Sequence, residues 1–110
     1  MDHKELRASL RIAVTTRGAL EAGEMHFPCI VQDMSDDGML FICTRDLEIG
    51  QVLDFSCELY PDQPFECKLE VVHITNGGVG AKIIGLDQAA SDLMHSFLDE
   101  RANEKMRRWM

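Results

Sequence analysis

Val52-Leu53-Asp54-Phe55-Ser56-Cys57-Glu58-Leu59 alternates without a slip, with Leu53, Phe55, Cys57 and Leu59 as the apolar set. A period of two marks a strand with one buried face, because successive side chains leave a strand on opposite sides. Tyr60-Pro61-Asp62-Gln63-Pro64 follows and is expected to turn, since proline withholds the N–H that a central ladder needs. Phe65, Cys67, Leu69 and Val71 then alternate with Glu66, Lys68 and Glu70. Two half-buried strands on a common core are the expectation for residues 52–71.

The same reading extends in both directions. Asn76-Gly77-Gly78 is a strong hairpin signal, and Val79 to Leu86 supplies a sixth strand after it. Toward the N-terminus, Ile12 to Leu20 and Met25 to Met34 read as strands separated by the polar stretch Glu21-Ala22-Gly23-Glu24, with a bend expected near Pro28. Ser35-Asp36-Asp37-Gly38 breaks the second strand, in a turn expected to hold one residue at positive φ, and Met39 to Cys43 forms a compact third. Turn signals at such short spacing are the pattern of a sandwich or a barrel.

The period changes after Leu86. Asp87 is a good N-cap, and Leu93, Met94, Phe97, Leu98, Ala102, Met106 and Trp109 recur at three- and four-residue steps as one apolar stripe. Arg107 and Arg108 stand where a helix dipole favours cations. The fold class expected is all-β with a C-terminal helix: a six-stranded antiparallel β-barrel packed by one α-helix. Its parts are a flexible basic arm over residues 1–11, a barrel over 12–86 and the helix over 87–110, all in one domain.

A chain of 110 residues with 45% hydrophobic residues can build one packed core. No apolar run is long enough to span a membrane, and the start, Met1-Asp2-His3-Lys4-Glu5, is too polar for a secretory leader, so a cytoplasmic protein without membrane insertion is expected. The net charge of −8 is unevenly placed: residues 19–100 hold three bases against sixteen acids, while both ends are net basic. Such an acidic body repels a nucleic-acid backbone, which argues against DNA or RNA as partner. Cys29, Cys43, Cys57 and Cys67 show no zinc-knuckle spacing and sit in strand-like stretches, so they read as small buried hydrophobes in a reducing compartment. His3, His26, His73 and His95 show no ligand spacing either, and no nucleophile elbow or phosphate-cradling glycine loop is visible. No catalytic residue, metal site or cofactor is expected.

Two short patterns carry chemistry. Arg7-Ala8-Ser9-Leu10-Arg11 is R-x-x-x-R just before the first strand, and Asp33-Met34-Ser35-Asp36-Asp37-Gly38 is D-x-S-x-x-G at the end of the second. One strand, a turn and a returning strand fit between Arg11 and Asp33, which brings both patterns to one end of the sheet. Arginine presents a planar fork to phosphate or to the O6 and N7 edge of guanine. A carboxylate accepts from the N1 and N2 donors of guanine, a pairing adenine cannot reproduce, and a serine hydroxyl adds another hydrogen bond. Glycine lets backbone approach without a Cβ. A guanine-bearing anion suits this set.

Together the two motifs, the six-strand pattern, the strand Gly78-Val79-Gly80-Ala81-Lys82-Ile83 and the closing helix resemble the PilZ domains, from Glu5 to about Phe97. That resemblance implies a six-stranded antiparallel barrel that binds cyclic di-GMP. It implies that Arg7 and Arg11 grip phosphates and guanine Hoogsteen edges, that Asp33 and Ser35 read the other guanine edge, and that Gly38 gives clearance. The resemblance also implies that Leu6, just before the first motif arginine, leans toward one bound ligand rather than a stacked pair. The implied activity is that of a non-enzymatic receptor: the arm closes over the nucleotide, and the change is passed to a partner protein controlling motility, pili or exopolysaccharide. The alternative is a degenerate PilZ-like interaction module that keeps the barrel and binds no nucleotide. Gly78 and Gly80 read as hairpin and strand-fit residues rather than ligand contacts.

Overall fold

The computed structural model describes residues 11–109, and at 105 and 107–109 the backbone alone. Six strands follow in order: β1 (Ile12–Ala22), β2 (Met25–Met34), β3 (Gly38–Cys43), β4 (Val52–Tyr60), β5 (Gln63–Thr75) and β6 (Gly78–Gly85). Among the described residues one helix, α1 (Gln88–Trp109), follows β6. The strands form a closed barrel in the order β1-β2-β3-β6-β5-β4, every neighbouring pair antiparallel. Closure leaves no long unpaired edge. The all-β barrel with a terminal helix is the architecture read from the sequence.

Alternation fills the barrel. Leu53, Phe55, Leu59, Phe65, Leu69 and Val71 are all buried, and the Phe55 and Phe65 rings meet edge-on with centroids 6.3 Å apart. Met34, Met39, Phe41 and Leu20 complete the interior from β1, β2 and β3. Gly18 is needed on β1 because a Cβ there would strike the Phe55 ring at 2.6 Å. Cys29 and Cys67 are buried as small hydrophobes, whereas Cys43 and Cys57 are half-buried. Burial raises the Cys29 and Cys67 thiols to about 12 and the Cys57 thiol to about 11, from an ordinary 9.0.

The Asp87 carboxylate caps α1 by accepting from the Ala90 N–H at 2.8 Å. Met94 and Phe97 are buried against the barrel, where α1 packs on β5, β4 and β1. Tyr60 meets Phe97 edge-on at 5.7 Å and donates its hydroxyl to Glu100, while the Arg101 guanidinium lies over the Phe97 ring, 5.0 Å from its centroid. The bond to Glu100 pushes the Tyr60 phenol up to about 12. The stripe stays partly buried as far as Ala102; Met106 is 64% exposed.

Two turn expectations are corrected. The break after Tyr60 takes only Pro61 and Asp62, with Asp62 at φ 64°; Gln63 and Pro64 already belong to β5, where Pro64 is exposed at the strand's start. No residue of Ser35–Gly38 has positive φ. That turn is built from hydrogen bonds instead.

Candidate nucleotide-binding site

Asp33 stands between two irregularities. On β1 the register slips between Ala13 and Thr16, and on β2 it slips between Val31 and Asp33. Each adds a residue on one side of a ladder, which bends the strand and re-aims side chains. Thr15, within the first bulge, takes φ 47°, a region that costs a β-branched residue about 1–2 kcal/mol. Strain of this kind survives only where neighbouring structure fixes it.

The result is a juxtaposition at one end of the β1–β2 pair. Arg11, immediately before β1, donates from Nη1 to Asp33 Oδ1 at 2.8 Å. The Arg11 side chain is 46% exposed and the Asp33 side chain 24%, so the pair contributes under about 1 kcal/mol to stability. Its weakness as glue leaves both groups exchangeable. Arg7 lies outside the described residues.

The turn after β2 is locked internally. The Ser35 N–H donates to the Gly38 carbonyl at 2.9 Å, and Ser35 Oγ donates to Asp37 Oδ1 at 2.7 Å. Ser35 is buried, so its hydroxyl faces the turn rather than solvent. The Asp37 carbonyl accepts from the Ile83 N–H at 2.8 Å, tying the turn to β6. A Cβ on Gly38 would lie 2.6 Å from the Ala81 carbonyl oxygen of β6. The tight approach at Gly38 is therefore to a neighbouring strand. The structure brings Arg11, Asp33, Ser35 and Gly38 to one end of the barrel; Arg11 and Asp33 present open polar atoms, and Ser35 and Gly38 build the corner.

The chemistry of this corner differs from that of the hollows on the opposite wall. A surface cavity of about 780 Å³ between the β4–β5 turn and α1 is lined by Asp62, Glu66, Asp87 and Asp92, and another of about 420 Å³ by Glu21, Asp54, Glu66 and Asp87, with Lys68 the cation there. Such acidic linings repel a phosphate diester. Among the described residues no group of His, Cys, Asp and Glu could hold a metal ion, and no helix is long and apolar enough to cross a membrane.

The PilZ domain model matches residues 5–100, nearly the whole chain. The chain belongs to the PilZ domain family. Its solved structural neighbours include the Borreliella burgdorferi PlzA protein in complex with c-di-GMP, at a TM-score of 0.59 and 15% sequence identity, an alignment covering 88% of this chain and 37% of PlzA. The likeness is one of fold, and this PilZ chain spans little more than a third of the length of that neighbour. No curated protein matches it.

Proposed function

We propose that this PilZ chain is a receptor for cyclic di-GMP that changes conformation on binding and passes the signal to a partner protein. The Arg11–Asp33 contact at 2.8 Å carries the reading, because it joins the last residue of R-x-x-x-R to the first of D-x-S-x-x-G. Family membership over residues 5–100 and a fold neighbour bound to c-di-GMP support it.

In this reading the ligand enters between the two groups. The Arg11 guanidinium exchanges its carboxylate for a phosphate or for the guanine O6 and N7 edge, both of which accept its fork. Asp33 then accepts from guanine N1 and N2 while Arg7 adds the second cation. Ser35 reaches a base only if its bond to Asp37 opens; otherwise it acts by holding Asp33 at the corner. Replacing one ion pair by a bound nucleotide changes the position of the arm and the surface charge, which a partner can read. Motility, pilus and exopolysaccharide control are the settings proposed.

One observation favours the alternative of an interaction module without nucleotide: the Ser35 hydroxyl is already satisfied. Isothermal titration with cyclic di-GMP separates the readings. Saturable heat at micromolar ligand supports the receptor; no heat at tens of micromolar ligand leaves the interaction module.

A further inference from the structure

Register brings two thiols together. Cys29 on β2 and Cys43 on β3 are directly opposed, so both side chains leave the same face of the pair. A directly opposed antiparallel pair holds its Cα atoms about 4.5 or 5.5 Å apart, and both values fall within the roughly 4.4–6.8 Å that a disulfide needs. The other thiols stand further off. Cys57 lies on the same line through Cys57↔Gly18, Gly18↔Cys29 and Cys29↔Cys43. Two inter-strand steps, roughly 10 Å at about 4.8 Å each, separate it from Cys29. Cys67 faces Phe55 and Cys57 faces Phe65, so those two cysteines meet only on the diagonal. Diagonal neighbours are about 7–8 Å apart, beyond disulfide reach. All four cysteines are free thiols.

We propose that Cys29 and Cys43 form a redox modification site, which a hydroperoxide closes into a reversible disulfide between β2 and β3. A surface hollow of about 380 Å³ is lined by both cysteines together with Ile30 and Ile42, and it gives a small oxidant a way in. Cys43 is half-buried and Cys29 buried, so Cys43 meets the oxidant first. Its Sγ donates to the Arg45 carbonyl at 3.4 Å, a weak contact that side-chain rotation releases. The Cys43 sulfur attacks a peroxide oxygen: the O–O bond breaks, a sulfenic acid forms, and the departing hydroxide leaves as water with the Cys43 proton. The Cys29 sulfur then attacks the Cys43 sulfur: the S–S bond forms, the S–O bond breaks, and the second hydroxide leaves as water with the Cys29 proton. Two thiols are oxidised and one peroxide is reduced to two waters. Burial, then the nearby Cys43 and Cys57, raise the Cys29 thiol to about 12, which suits it to the second, intramolecular step rather than to the first encounter. Neither thiol takes part in the Arg11–Asp33 contact, so the bond stands or falls independently of the receptor reading.

Treating the reduced chain with hydrogen peroxide at neutral pH, followed by alkylation and intact-mass measurement, tests this. The expected result is a loss of two hydrogens, reversed by dithiothreitol, with Cys57 and Cys67 still open to alkylation after unfolding. Cleavage at acidic residues separates the pair, because Asp33, Asp36 and Asp37 lie between Cys29 and Cys43, and it should yield one linked pair of peptides. Cys29→Ala should hold Cys43 as a sulfenic acid, one oxygen heavier and captured by dimedone. Cys43→Ala should leave Cys29 unoxidised over the same interval. Circular dichroism checks both variants, and the linkage map of the unaltered chain decides the case even where a variant fails to fold. Thiols left unchanged, oxygen added to Cys43 without any linkage, a linkage that includes Cys57 or Cys67, or a bond between two chains would each overturn the proposal. Oxidation of Cys29 in Cys43→Ala at the rate of the unaltered chain would overturn the order of the two steps.

Discussion

The β4–β5 wall and the β1–β2–β3 wall are built from the same alternating chemistry and end in different states. From Val52↔Glu70 to Glu58↔Pro64 the β4–β5 ladder keeps one register, with Asp54 and Lys68 paired across it at 2.7 Å. It carries Phe55, Phe65 and Leu69 inward and receives α1. The other wall breaks register twice around Asp33, holds Thr15 at positive φ and leaves an ion pair half in water. One wall holds the barrel together; the other bends it to set Arg11 against Asp33. Regular pairing maximises packing, and irregular pairing aims polar groups.

The sharpest break of that contrast is on the regular wall. Phe65→Ala removes a ring with no exposed surface and should cost about 3–5 kcal/mol, read from urea unfolding. On the irregular wall the order of effects reverses. Arg11→Ala or Asp33→Ala should change stability by less than about 1 kcal/mol while weakening cyclic di-GMP binding by about 1.5–3 kcal/mol, and Asp33→Ala should also lower the preference for guanine over adenine cyclic dinucleotides. Unchanged affinity in both variants would leave the ion pair a surface ornament.

Gly38→Ala sits between the two behaviours. Its Cβ would press on the Ala81 carbonyl, which β6 cannot move freely, so a loss of about 1–3 kcal/mol in stability is expected by thermal unfolding. Thr15→Gly should do the opposite. Relief of about 1–2 kcal/mol of left-handed strain, less about 0.5–1 kcal/mol for the freedom glycine loses, predicts a small gain in Tm.

The pH dependence of stability is the mildest test and belongs mainly to the regular wall. Cys57 and Cys67 on β4 and β5, and Cys29 on β2, are raised by burial; Tyr60 is raised by its bond to Glu100. A raised acid favours its neutral form in the folded state, so its contribution is complete below the unfolded value and fades as pH climbs toward the folded one. Tm should therefore be level with respect to these groups at neutral pH and decline above about pH 9, where unfolded thiols ionise at 9.0 and folded ones resist to about 11 or 12.

What was legible in the sequence follows the same division. Alternation in Val52–Leu59 and Phe65–Val71 announced the regular wall, since period and burial are one statement there. Asp87 announced the helix start because capping is local. The bulges were not legible: Thr15 is a good strand residue by propensity, and its positive φ goes with a register slip against β2 that depends on non-local pairing. Nor could the sequence show that Gly38 clears Ala81 or that Ser35 turns to Asp37, because both depend on how β6 is tied to the turn. Arg11 and Asp33 were readable as partners since a hairpin between them dictates the meeting. His73 shows only an absence of ligand spacing in the sequence; its approach to Gly80 comes from non-local register.

An amide spectrum of the labelled chain titrated with cyclic di-GMP puts the central claim to the most direct test. The account predicts saturable shifts at Arg11 and at Asp33 through Gly38, with residues 52–59 of β4 nearly still. A spectrum left unmoved at tens of micromolar nucleotide, or shifts confined to the β4–β5 wall, would contradict it.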